Sequence, residues 1–134
     1  MIQFTELERA VLAKLLAGEH PLLNQLRSQL RSCRIVRREM TGHGFYTHFS
    51  VGDAPAPLDV KVSFGDVVAE IDGMPDGAGF ELYVEHGQLS MLEGYGYDDP
   101  WPRSVTGFAL RYATGDERDW PAIKEVIGGC GDAI

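Results

Sequence analysis

The spacing of apolar residues along the 134-residue chain changes once, near residue 33. Before that point Leu7, Val11, Leu12, Leu15 and Leu16 recur at helical spacing. Thr5-Glu6-Leu7-Glu8 reads as a capping box, with Thr5 as N-cap and Glu8 at N3, and Gly18 supplies a stop. A second helix is predicted from about Pro21 to about Ser32. Pro21 suits its first turn, and Leu22, Leu23, Leu26 and Leu30 form its apolar stripe. The two segments make a helical hairpin with one buried side.

From Arg34 the period is two. Residues 34–41 open the β region, and Phe45, Thr47, Phe49 and Val51 alternate with Tyr46, His48 and Ser50. After a DAPAP loop, Leu58, Val60, Val62 and Phe64 alternate with Asp59, Lys61 and Ser63, the pattern of a strand wet on one face. A short strand at 67–71 follows the Gly65-Asp66 turn. Residues 72–79, rich in Gly, Pro and Asp, read as a loop. Phe80, Leu82 and Val84 then point inward and Glu81, Tyr83 and Glu85 outward, and His86-Gly87 suits a two-residue hairpin turn. Residues 89–95 return, 105–112 form a last strand, 114–119 a polar loop, and 120–127 a short closing helix.

Strands that follow one another without helical crossovers pair antiparallel. The expectation is therefore an α+β fold: an N-terminal helical hairpin packed on a curved, mainly antiparallel sheet of about six or seven strands. One domain over 1–134 is expected, divided into the hairpin (1–32), the sheet (33–112) and a C-terminal loop and helix (113–134).

Composition narrows the function classes. An apolar fraction of 44% and a charged fraction of 24% are those of an ordinary globular protein. No apolar run reaches membrane-spanning length, and the N-terminus lacks a basic-then-apolar signal pattern, so the expectation is cytoplasmic, with no membrane partner. Cys33 and Cys130 stand alone, without metal or disulfide spacing. The net charge of −8 is lopsided. Residues 1–40 carry seven Lys/Arg against four Asp/Glu, and residues 41–134 carry five against sixteen. Such an acidic stretch disfavours direct nucleic-acid binding and steers a basic protein partner toward itself.

The candidate chemistry is sparse. Gly42 and Gly44 bracket His43 and predict a glycine hairpin with His43 at its tip, with neither dinucleotide nor phosphate-loop spacing. His43 and His48 are separated by an odd number of residues and so fall on opposite strand faces, which argues against a metal, and no cofactor is expected. No nucleophile elbow surrounds any serine. Arg27, Arg31, Arg34, Arg37 and Arg38 form a basic cluster, for which internal pairing with Glu39, Glu70, Glu81, Glu85 and Glu93 is favoured over anion binding. The strongest signal is the acidic aromatic segment, where Tyr95, Tyr97, Asp98, Asp99 and Trp101 fall within seven residues. Tyr and Trp dominate binding hot spots, yet Trp101 could equally plug the end of the core.

The runs RREMTGHGFYTHF, FGDVVAEIDGMPDGAGFELYV and LEGYGYDDPWP resemble those of a widespread family of small bacterial proteins without an assigned activity. The resemblance covers about residues 4–112. Gly96 stands where the family pattern has Thr, and Tyr46 where it has Phe, so no functional residue carries over. A small acidic α+β domain with aromatic loops is also similar in general character to immunity proteins of bacterial toxin systems.

The leading expectation is a non-enzymatic protein-binding domain, an immunity-type inhibitor of a basic toxin or effector, acting as monomer or homodimer. Its contact residues would be Glu81, Tyr83, Glu85, Tyr95, Tyr97, Asp98, Asp99 and Trp101. The first alternative is a small-molecule binder or minor enzyme with a pocket between sheet and helices near Arg37, Glu39, His43, Tyr46 and His48. The second is an acidic mimic of nucleic acid.

Overall fold

The structure, a computed structural model, describes residues 1–131, with side chains described through residue 128, so Cys130 lies outside the described side chains. Helix α1 (Glu6–Leu15) starts at the expected capping box. The Thr5 hydroxyl accepts the Glu8 N–H at 3.0 Å, and Glu8 Oε1 accepts the Thr5 N–H at 2.8 Å. Helix α2 (Pro21–Leu30) places Pro21 in its first turn, and His20 Nδ1 caps it by accepting the Leu22 N–H. Arg27 donates to the carbonyls of Leu16 and Gly18, which ties the second helix to the end of the first. Leu12, Leu15, Leu16, Leu22, Leu23 and Leu26 are all fully buried.

Seven strands follow: β1 (Arg34–Met40), β2 (Gly44–Ser50), β3 (Val62–Phe64), β4 (Val67–Ile71), β5 (Met74–Glu85), β6 (Gln88–Gly96) and β7 (Phe108–Tyr112). A final helix, α3, spans Trp120–Gly131. The order across the sheet is β1-β2-β6-β5-β4-β7, with β3 on the far half of β5, and every pairing is antiparallel. The sheet is open, and register shifts in β1, β4 and the β5–β6 pair bend it. This is the expected α+β arrangement, with the N-terminal helices on one sheet face. That face is built from Phe45, Phe49, Phe80, Leu82, Val84 and Leu92, all buried.

The β5–β6 turn matches expectation: His86 and Gly87 both have positive φ, 53° and 69°, as a type I′ turn requires. Buried Gln29 fastens this hairpin to α2, since its amide donates to the Gly87 carbonyl at 2.8 Å and accepts from the Leu89 N–H at 3.0 Å.

Two strands differ from the sequence reading. The alternation at 58–64 yields a strand only over Val62–Phe64. Val62 pairs with Val84, so two residues earlier the chain already faces the 86–87 turn and has no strand to pair with. Gln25 instead holds Leu58 through both of its backbone groups. In the other direction, residues 72–79 are mostly strand. Asp72-Gly73 is a two-residue turn with Gly73 at φ 89°, after which Met74 pairs with Ile71 and β5 begins. The last strand begins at Phe108 rather than 105.

Candidate functional site

Strand alternation delivers a second, helix-free face of the sheet. The register aligns its side chains in cross-strand rows. One row runs Glu39, Tyr46, Glu93, Glu81 across β1, β2, β6 and β5. The next runs Arg37, His48, Met91, Tyr83 and ends on Ser63 of β3. A third runs Gly44, Tyr95, Gly79, Val68, Arg111.

Gly79 in the third row matters for a packing reason. A Cβ on Gly79 would stand 2.7 Å from the Tyr95 hydroxyl and 2.8 Å from the Tyr97 hydroxyl. Both phenols therefore converge over bare backbone at Gly79, and the two rings meet edge to face at 5.8 Å. Beside them the Tyr83 hydroxyl donates to Glu93 Oε1 at 2.9 Å, and Tyr46 stands directly across from Glu93 on the neighbouring strand. Four tyrosines thus surround Glu93 and Glu81. All but Tyr97 are half-buried, and Tyr97 is 53% exposed.

The carboxylates are poorly compensated. Glu81 sits directly opposite Glu93, which puts their Cβ atoms about 5 Å apart. Among the described residues neither has a cationic nitrogen in salt-bridge range. Burial is the main cause that lifts the Glu81 carboxyl above its usual range; a hydrogen bond from Ser63 opposes it, and the charges of Glu93 and Asp66 add to it. Glu93 is the largest cause of the raised Tyr46 phenol. Burial first, then Glu93, pushes Tyr83 up to about 12.

That shift has a measurable consequence. Tyr83 keeps its proton longer in the folded chain than in the unfolded one. Its contribution to stability is complete below the ordinary phenol pKa near 10 and is lost as pH rises toward 12. Several phenols are raised, and absorbance titration at tyrosine wavelengths is expected to show that Tyr83→Phe removes the last of them to ionise, together with that part of the alkaline loss of stability.

The positions singled out from sequence fall into three groups. Glu81, Tyr83, Tyr95 and Tyr97 stand together on the open face, with Asp98 exposed beyond the end of β6. Glu85 lies at the hairpin end, 3.7 Å from Lys61. Asp99 faces back to the β4–β5 hairpin, where its carboxylate accepts the Asp76 N–H at 2.9 Å. Trp101 does not join this surface. Its backbone N–H donates to the Gly42 carbonyl at 2.8 Å, and its half-buried ring packs edge-on against Phe45, on the helix side, at 5.2 Å.

A second correction concerns Arg37, Glu39, His43, Tyr46 and His48. They do not line a pocket between sheet and helices. In β2 the inward positions are taken by Phe45, Thr47 and Phe49, so Tyr46 and His48 point to the open face. Glu39 bonds His48 at 2.7 Å and Arg37 at 3.3 Å in the exposed β1–β2 row, which holds the Glu39 carboxyl below its usual range with His48 as first cause. His43 is exposed in the turn before β2.

The basic cluster is also paired differently than expected. Of its five predicted acidic partners only Glu39 serves, bonded to Arg37. Arg38 instead engages Glu8, and Arg27 engages helix carbonyls, while Arg31 and Arg34 are exposed. Glu81 and Glu93 are left to each other as a result.

Glu93, at the centre of the face, is absent from the contact set read from the sequence. Its alternation with Leu92 and Gly94 was legible, but its cross-strand partners needed the register. A broad hollow of about 750 Å³ adjoins Tyr97, with Glu70, Asp72 and Asp76 among its lining and Arg111 its one cation. Among the described residues no three His, Cys, Asp or Glu side chains gather as a metal-ligand set, and no helix is long and apolar enough to cross a membrane. Compared with family models, curated proteins and solved structures, the chain has no match.

Proposed function

We propose that this chain is a non-enzymatic protein-binding domain whose open sheet face receives a basic partner, in the manner of an immunity-type inhibitor of a cationic toxin or effector. The observation that carries the reading is the Glu81–Glu93 pair. Like charges placed directly across two strands repel, and here they are also partly withdrawn from water. A guanidinium or ammonium group inserted between them relieves both penalties. The surrounding tyrosines offer ring faces to such a cation and large contact area at low entropic cost. The acidic hollow beside Tyr97 extends the same potential to neighbouring positive residues.

The test uses Glu81→Gln/Glu93→Gln against wild type. Captured partners from the native host are identified by a photo-crosslinker at Tyr97, with one at Glu125 on α3 as control. The reading expects a basic protein crosslinked at 97 alone, with salt-sensitive affinity. It expects the double variant to lose about 2 kcal/mol or more of binding, some thirtyfold. Retention of the same partner at the same affinity by the double variant overturns it.

The free protein gives a companion prediction. The raised Glu81 pKa means that wild type loses stability as pH rises from about 4.5 through the folded value. Glu81→Gln should therefore be more stable than wild type at neutral pH, by about 0.2–1 kcal/mol, with the gain vanishing below pH 4.5. Thermal unfolding at both pH values checks it. A variant that gains stability while losing binding marks a strained recognition site rather than a solvated strand.

A further inference from the structure

On the helix side of the sheet, away from the tyrosine face, the first turn of α1 and the 101–108 segment enclose a hollow of about 700 Å³. That volume is within the range of sites that hold small organic ligands. Its apolar lining comes from Leu7, Met40, Phe45, Trp101, Val105 and Phe108. Of these only Leu7 and Phe45 are buried; Met40 is 59% exposed and the others are half-buried, so the hollow presents an unfilled apolar surface.

The polar side of the hollow carries two arginines, Arg38 and Arg103, and two acids, Glu6 and Glu8. Glu8 is 1% exposed and its carboxylate is saturated. Oε1 accepts from Thr5 N–H at 2.8 Å and Arg38 Nη2 at 2.5 Å, and Oε2 accepts from Arg38 Nε at 2.9 Å and the Thr47 hydroxyl at 2.5 Å. Arg38 Nη2 also donates to the Gln3 carbonyl, which leaves Nη1 as the arginine nitrogen without an acceptor among the described residues. Exposed Arg103, Ser104 and Thr106 add further donors to the lining. The buried carboxylate of the lining, Glu8, is fully used, and the other acid, Glu6, is exposed to water on the first turn of α1.

We infer that this hollow binds a small amphipathic carboxylate: an apolar body against Phe45, Trp101 and Phe108, and the carboxylate at Arg38 Nη1 and Arg103. The site is independent of the partner-binding face, since Phe45 and Tyr46 stand on opposite sides of the same strand. Arg38 is held in place by Glu8 and Gln3, so its free nitrogen is oriented before the ligand arrives, which limits the ordering cost of binding.

The test titrates ¹⁵N-labelled wild-type protein with octanoate and with indole-3-acetate, as flexible and planar probes, and with 1-octanol and octyltrimethylammonium as neutral and cationic counterparts. Expected are shifts of the Leu7, Met40 and Val105 amides and the Trp101 indole N–H, with Tyr83 and Tyr95 unmoved. A charge-assisted contact favours a carboxylate over the alcohol by about tenfold or more. Arg103→Glu should erase that preference. Val105→Trp fills the hollow from a half-buried position and should weaken binding at least tenfold while the melting temperature stays close to wild type. The inference is overturned if neither carboxylate shifts these groups at about 1 mM, if octanol binds as well as octanoate, or if Val105→Trp binds as wild type does.

Discussion

Arg118→Ala is expected to destabilise the protein by about 3–5 kcal/mol, the largest single loss from a residue outside the leucine and phenylalanine core. Its side chain is 3% exposed. The guanidinium grips Asp66 with two bonds, Nε at 2.7 Å and Nη2 at 2.8 Å, the bidentate form that only arginine supplies. Nη1 donates to the Ala17 carbonyl at 2.9 Å and Nη2 to the Leu15 carbonyl at 2.8 Å, so the same group satisfies the end of α1. The rings of Phe64, Tyr112 and Trp120 pack around it at 5.3 to 5.9 Å. Removing the side chain strands the Asp66 carboxylate, frees two carbonyls and opens a gap among three rings. Arg118→Lys should recover only part of the loss, because an ammonium cannot form the paired bonds. Denaturant unfolding checks this, with the midpoint falling at unchanged slope. An Arg118→Ala midpoint close to wild type would show that water replaces these contacts without cost.

Arg38→Ala is the second large effect, again about 3–5 kcal/mol. Here the damage comes through the group left behind. Glu8 is almost wholly buried, and without Arg38 its charge keeps only the Thr47 hydroxyl and the Thr5 N–H. The capping box itself survives, because the Thr5 and Glu8 exchange does not need Arg38. The loss should therefore appear as lower global stability, with the start of α1 still protected in hydrogen exchange of the native state. Glu8→Gln/Arg38→Met should be milder than Arg38→Ala alone, since it removes both charges together. If the double variant is instead the worse of the two, the ion pair contributes net stability beyond compensating for its own burial.

These two arginines mark where reading the sequence stops. Both belong to charge-rich segments that look solvated on composition: Arg38 in a run of basic residues and Arg118 in the polar stretch 114–119. Nothing local says that Arg38 meets a glutamate 30 residues earlier, or that Arg118 reaches an aspartate 52 residues earlier and a helix end 103 residues earlier. Glu8 was legible as a capping residue, and it is one. Its second role, as the buried anion under the α1 hollow, arises only where the tertiary fold brings Arg38 of β1 and Thr47 of β2 to its carboxylate. The tyrosine face shows the same division. Alternation alone separated Glu81, Tyr83 and Glu85 from Phe80, Leu82 and Val84. That Glu81 faces Glu93, and that Tyr46 joins them rather than a pocket under the helices, depended on the register of three strand pairings.

By itself the sequence determined the local elements and their faces: the Thr5 capping box, the two leucine-striped helices, the His86-Gly87 turn, the inward and outward sides of β2 and β5, and hence the α+β class. These follow from propensity, periodicity and turn chemistry, which act over a few residues. Only the tertiary structure decided which strands pair and in what register, and that Asp72-Gly73 turns a hairpin where composition suggested a loop. It also sent Trp101 to the helix side and left Glu81 and Glu93 without a counter-charge among the described residues. Those outcomes depend on contacts between residues far apart in the chain, and a shift of one residue in any strand would have exchanged the two faces.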